Sequence, residues 1–198
     1  MKRPCPVTTV ILAGGLGRRI GGSKGLQMLQ GRPLISWVLS RVSSDSEEVL
    51  INLNGEIAPY AHFGCRMVSD QIPGWQGPLA GIHAALDCAQ SEYVMVVPCD
   101  TPFLPENLIE RMFAAINNTE YEAAVAVADG HRQPAIAIFS RNVLPKLSAF
   151  LAADRRKVND WLNTLRLCEV TFHHVDDFEN INSPQELAQA EQRVIKQG

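Results

Sequence analysis

The chain has 198 residues, of which 46% are hydrophobic and 20% charged. That is ordinary globular usage and excludes disorder, collagen and coiled coil as the main architecture. Net charge is −3, yet residues 1–44 hold seven cations (Lys2, Arg3, Arg18, Arg19, Lys24, Arg32, Arg41) and no acid, while the remainder holds 11 basic and 21 acidic groups. A compact phosphate ligand suits this division better than a nucleic acid, whose binders spread a wider basic face; a solvated basic run is the alternative.

At this length folding hides roughly 70% of the unfolded chain's surface, so a single domain with a real core is expected over residues 1–198. No apolar run approaches the ~20 residues of a membrane span. The apolar stretch Val7–Ala13 is too short for a signal peptide. The five cysteines (Cys5, Cys65, Cys88, Cys99, Cys168) are odd in number and never spaced C-x-x-C, which fits reduced thiols. A cytoplasmic protein without a membrane partner is expected.

Val7–Ala13 is β-branched and stopped by Gly14–Gly15, the pattern of a buried strand. A glycine-rich basic loop runs to Gly25, and Pro33 opens a helix with Leu34, Ile35, Val38, Leu39 and Val42 at helical spacing. Strands follow at Glu48–Leu53 and Arg66–Ser69, then a helix from Pro78 to Ala89, in which His83 is a packing residue. Glu92–Val97 is a strand, and Pro105 is expected to open the next helix. Ala123–Ala128 and Pro134–Phe139 are strands joined through Asp129–Gly130, a hairpin signal that makes them antiparallel. Helices are expected at about 142–150 and 154–165, a strand at Glu169–His173, and a last helix after the capping box Ser183–Pro184–Gln185–Glu186. Strands alternating with helices predict an α/β fold, a three-layer Rossmann-like arrangement with a mostly parallel central sheet and at least one antiparallel strand. Ligands of such sheets sit at the carboxyl ends of the strands. That directs attention to Gly14 onward, Asn52–Asn54, Asp70, Asp100 and Asn180–Asn182.

Leu12–Gly25 packs six glycines and three cations into fourteen residues. It fails the P-loop pattern, because Ser23 precedes Lys24 and Gly25 follows it. It fails the dinucleotide fingerprint, because Ile20 stands where the third glycine belongs. Gly21-Gly22-Ser23-Lys24-Gly25 matches a nucleophile elbow formally, but mid-loop and not at a strand exit. What remains is backbone free to approach phosphates, beside Arg18, Arg19 and Lys24 to neutralise them. A triphosphate needs both.

Leu-Ala-Gly-Gly-x-x-Arg-Arg-Ile-Gly-Gly-x-Lys-Gly over residues 12–25 resembles the signature loop of nucleotidyltransferases with a glycosyltransferase-A-like fold, most of all the molybdenum cofactor guanylyltransferases. Ile51–Asn54, Gly77–Gly81, Pro98–Pro102, Gln133–Ala137 and Asn180–Pro184 resemble that family's blocks in the same order, so the likeness spans residues 12 to about 186. It implies transfer of GMP from GTP to the molybdopterin cofactor, with Mg²⁺ as cofactor. Molybdenum insertion proteins and apo-molybdoenzymes would be downstream partners. It implies a nucleotide-binding N-terminal half (Leu12, Ala13, Gly14, Gly15, Lys24, Asn52, Asp70, Asp100) and an acceptor-binding C-terminal half (Arg155, Arg156, Asn180, Asn182). Lys24 and Arg19 would contact phosphates, and Asp100 and Asn182 would hold the metal. Other readings stay open: Asp100 as a helix cap, Asn182 as a turn residue, Gly77–Pro78 as simple capping, and Arg155–Lys157 as a solvated helix start. A cytidylyltransferase of the same cofactor, a sugar-phosphate nucleotidyltransferase and a non-catalytic nucleotide-binding protein are the rival functions.

Overall fold

The computed structural model describes residues 4–14, 23–72 and 77–197. In chain order its first half comprises β1 (Cys5–Leu12), a small hairpin of β2 (Met28–Leu29) and β3 (Arg32–Pro33), α1 (Leu34–Val42), β4 (Ser46–Asn52), β5 (Arg66–Val68) and α2 (Pro78–Cys88). The second half comprises β6 (Tyr93–Pro98), α3 (Leu108–Ile116), β7 (Ala123–Ala128), β8 (His131–Ser140), α4 (Leu144–Ala152), α5 (Val158–Leu162), β9 (Leu167–Phe172) and α6 (Pro184–Gln197).

One sheet of the described residues has the order β5-β4-β1-β6-β8-β7-β9. All neighbours pair parallel except β8, which runs antiparallel to both β6 and β7. This is the expected mostly parallel sheet with one reversed strand. The reversal has the cause read from the sequence: Asp129 and Gly130 adopt φ of 50° and 70°, the left-handed pair that closes a two-residue hairpin.

Successive residues of the inner strands feed opposite layers, which is why those strands read as unbroken apolar runs. Ile11, Ile51, Met95 and Val97 pack with Ile35 and Val38 of α1 and Ile109 and Met112 of α3. Val10, Leu50, Val94 and Val96 face the other way, against Leu79, Ile82 and Leu86 of α2, Leu147 of α4 and Trp161 of α5. Two fully buried threonines on β1 would each leave a hydroxyl unsatisfied, a penalty of about 1–3 kcal/mol. Thr8 Oγ1 instead donates to Ser91 Oγ at 3.0 Å, and Thr9 Oγ1 shares a 2.6 Å bond with Ser46 Oγ.

Two sequence expectations need correction. Pro105 does not open α3, which begins at Leu108 after an Asn107 cap. Phe103 and Leu104 are first drawn inward, Phe103 into a third cluster with Leu29, Leu34, Ile181 and Ala190. The helix expected at 154–165 is only Val158–Leu162. Asp154 adopts a left-handed φ of 57°, which breaks the helical path. Arg155–Lys157 therefore lies in a short non-helical connection that ends at Lys157, the residue capping the start of α5.

Candidate active site

β1 ends at Leu12, in register with Asn52 of β4 on one side and Pro98 of β6 on the other. Pairing continues past the strand end: Ala13 N–H donates to the Asn52 carbonyl at 2.8 Å, and Cys99 N–H to the Leu12 carbonyl at 3.1 Å. Ala13–Gly14 thus leaves the sheet between Asn52 and Asp100, where a doubly wound sheet opens a crevice.

One wall of the crevice carries charge. Lys24 starts a short 3-10 turn, Lys24–Leu26. Gly25 of that turn is buried so closely that a Cβ there would stand 3.3 Å from Tyr60 Oη and 3.4 Å from Cys99 Cβ, so glycine is what lets the turn settle against β6. Lys24 Nζ donates to Asp100 Oδ2 at 2.9 Å and also to Asn182 Oδ1. The two ionised side chains are 25% and 11% exposed, shielded enough for the pairing to count for more than a surface ion pair. Asn182 arrives from far along the chain through a chain of bonds. Ile181 N–H donates to the Asp100 carbonyl at 2.9 Å, and Thr101 Oγ1 donates to Asn180 Oδ1 at 2.6 Å. Asn182 N–H donates to Glu186 Oε2 at 2.6 Å, and Glu186 N–H to Ser183 Oγ at 3.2 Å. This is the expected capping box, extended by one residue to grip Asn182. The Asn182 N–H, aided by Ser183 and the Lys24 charge, holds the Glu186 carboxyl below its usual value against the opposing pull of desolvation. Cys99 is no nucleophile: burial and the Asp100 charge push its thiol up to about 12.

The other wall carries amides and a carboxylate. Asn52 is only 3% exposed. Its Nδ2 donates to Asp70 Oδ1 at 3.0 Å and to the Val68 carbonyl at 3.3 Å. Asn54 Nδ2 donates to Asp70 Oδ2 at 2.6 Å, and Asp70 N–H returns a bond to Asn54 Oδ1 at 2.9 Å. Gly81, one turn into α2, approaches the same spot: a Cβ there would meet Asn52 Oδ1 at 2.5 Å and Leu12 Cδ2 at 2.8 Å.

The structure thus brings Lys24, Asp100, Asn180 and Asn182 together on one side of Leu12–Gly14, and Asn52 and Asp70 on the other. Asp100 is not a helix cap, because α3 starts only at Leu108, behind Asn107. Gly15 and Arg19 lie outside the described residues. Arg155 and Arg156 join neither group. Arg155 stacks its guanidinium 4.3 Å from the Phe150 ring, and Arg156 pairs with Asp154 at 2.7 Å, on the α4–α5 side of the sheet. In the sequence Asn54 stood out only within the strand-end stretch Asn52–Asn54, and Gly25 only within the glycine-rich loop; neither had a role of its own. Asn54 lies two residues beyond the end of β4, outside the strand, so strand periodicity does not single it out. Glu186 was visible only as a helix cap, and the approach of Gly25 to Cys99 had no local signal.

The model of the MobA-like NTP transferase domain matches residues 9–170. The chain belongs to the MobA-like NTP transferase family. Among its relatives is the molybdenum cofactor guanylyltransferase of Cupriavidus metallidurans, 41% identical over 91% of this chain and 92% of that protein. The molybdenum cofactor guanylyltransferase of Shewanella piezotolerans is 37% identical over 96% and 95%. Among solved structures, the molybdopterin-guanine dinucleotide biosynthesis protein A of Archaeoglobus fulgidus superposes with a TM-score of 0.80 at 26% identity, covering 96% of this chain and 99% of that one. The MobA-like domain includes both walls of the crevice except Asn180–Glu186, which lies beyond residue 170.

Proposed function

We propose that the chain transfers GMP from GTP to the terminal phosphate of the molybdopterin cofactor, forming the guanine dinucleotide cofactor and releasing pyrophosphate. One observation carries this reading: within a family whose relatives bear the guanylyltransferase name, a cation–carboxylate pair and an amide–carboxylate set face each other across the end of β1. The acceptor phosphate oxygen attacks the α-phosphorus of GTP in line, and the bond from that phosphorus to the bridging oxygen of the pyrophosphate breaks. Such transfers depend on positioning and charge neutralisation more than on covalent help from the protein. Lys24 supplies a cation for the phosphates. Asp70 accepts from the guanine N1–H and exocyclic amine, with Asn52 beside it. Arg155 and Arg156 offer charge to the acceptor's phosphate.

The site's donor set fits Mg²⁺. Asp100 Oδ2 and Asn182 Oδ1 already converge on one cationic atom, the Lys24 ammonium. Among the described residues no group of three His, Cys, Asp or Glu side chains gathers. Magnesium commonly takes one or two protein oxygens and completes its shell with phosphate and water. Asp100 and Asn182 would hold it, and when bound it supplies positive charge to the phosphates. The cytoplasm is the compartment this reading assigns, supported by five cysteines of which none forms a disulfide. Molybdenum insertion proteins and apo-molybdoenzymes would receive the product.

The test is a pyrophosphate-release assay with purified protein, Mg²⁺ and molybdopterin. Release is expected with GTP and not with CTP or ATP. Asp100→Asn should lower the rate at least about a hundredfold while the melting temperature stays within a few degrees. Release with CTP in place of GTP would make the chain a cytidylyltransferase. GTP binding without release from any acceptor would make it a non-catalytic binder.

A further inference from the structure

The base-side wall holds more than the two residues that would touch guanine. Asp70 sits after β5, where its carboxylate has no helix or strand to set its rotation. Asn54 closes a two-bond ring onto it, donating from Nδ2 to Oδ2 at 2.6 Å and accepting from the Asp70 N–H at Oδ1 at 2.9 Å. One side chain thereby grips both the main chain and the carboxylate of Asp70. Asn52 Nδ2 takes the other carboxylate oxygen at 3.0 Å. Among the described residues each oxygen is engaged once, so turning the carboxylate about Cβ–Cγ breaks both bonds. A carboxylate offers about four lone-pair sites. Two are used, and one on each oxygen remains for a ligand.

We propose that Asn54 is a positioning residue for base specificity. It fixes the Asp70 carboxylate so that its two remaining lone pairs present a side-by-side acceptor pair to a base. The chemistry this selects is a base edge with two adjacent donors. Guanine has them in N1–H and the exocyclic amine. Hypoxanthine keeps the N1–H and lacks the amine. Adenine turns an acceptor toward the same place. The backbone supports the assignment: a Cβ on Gly14 would stand 3.2 Å from Asn54 Nδ2 and 3.5 Å from Asn52 Oδ1, so the turn leaving β1 rests against both amides. Asn54 is exposed, and its bonds to Asp70 span sixteen positions of the chain, linking the ends of β4 and β5. The proposal rests on the reading of Asp70 as the base-facing group.

The experiment is steady-state kinetics with GTP and with inosine triphosphate, on the wild-type chain and on Asn54→Ala, with Asn54→Ser as a second variant too short to close the ring. The wild type should prefer GTP by at least tenfold in kcat/KM. Both variants should lose most of that preference, with the KM for GTP rising about tenfold and kcat falling less. A structural role alone would lower the use of both nucleotides in proportion and leave their ratio intact. A retained ratio in a folded variant overturns the role of Asn54. A wild type that does not distinguish the two nucleotides overturns instead the reading of Asp70 on which it stands.

Discussion

At Gly81 the packing depends on a single missing atom. A methyl group there would lie 2.5 Å from Asn52 Oδ1 and 2.8 Å from Leu12 Cδ2. Asn52 has no room to retreat, because it is buried and bonded to Asp70 and Val68. Gly81→Ala should cost about 1–3 kcal/mol of stability, as overpacking commonly does, and should raise the KM for GTP more than it lowers kcat. Denaturant titration and kinetics read the two effects separately. Lys24 poses a second question at this scale, since its ammonium occupies the two oxygens that the proposal gives to a metal. If Asp100 and Asn182 hold the metal, Lys24 and a divalent cation would compete for them in the absence of nucleotide. Lys24→Met should therefore bind Mn²⁺ several-fold more tightly than the wild type in the absence of GTP, measured by electron paramagnetic resonance, although it turns over poorly. Unchanged or weaker Mn²⁺ binding would take Asp100 and Asn182 out of the metal site.

Between elements, α2 and α4 meet on one face of the sheet, and His83 joins them through Nε2 and Ser148 Oγ at 2.9 Å. Burial lowers its affinity for a proton, and nearby Asp87 only partly restores it. A histidine pKa depressed by folding means that the unfolded chain binds the extra proton first. Stability from this group is full above the unfolded value of about 6.5 and falls as pH drops from there through the lower folded value. Melting temperatures from pH 8 to 5.5 should decline, and His83→Gln should flatten that decline. The same elements show what a one-dimensional reading can reach. The β7–β8 hairpin was legible because Asp129–Gly130 encodes its own turn, and α6 because Ser183 and Glu186 encode their own cap. The late start of α3 was not legible, because it depends on Phe103 and Leu104 finding a core assembled from distant segments. The short α5 was not either, because the left-handed turn at exposed Asp154 has no glycine to announce it.

Across the whole molecule, the sheet order explains why residues as far apart as 24, 52, 70, 100 and 182 share one crevice. β4 and β6 flank β1 in parallel, so all three strands deliver their carboxyl ends to the same edge. Asp100 and Asn52 could be singled out in the sequence because each follows a recognisable strand. That Asn182 would meet Lys24 could not, since no periodicity links them, and the meeting depends on Ile181 and Asn180 bonding to Asp100 and Thr101. Arg155 and Arg156 remain apart, on the side of the sheet covered by α4 and α5. On the proposed function, the end of β1 holds a guanine nucleotide between two chemically distinct walls. The most direct measurement is a crystal structure of the protein with GTP and Mg²⁺. The account predicts guanine against Asn52 and Asp70, the triphosphate beside Lys24, and the metal on Asp100. Nucleotide bound anywhere else, or with its base on the Lys24 side, would contradict it.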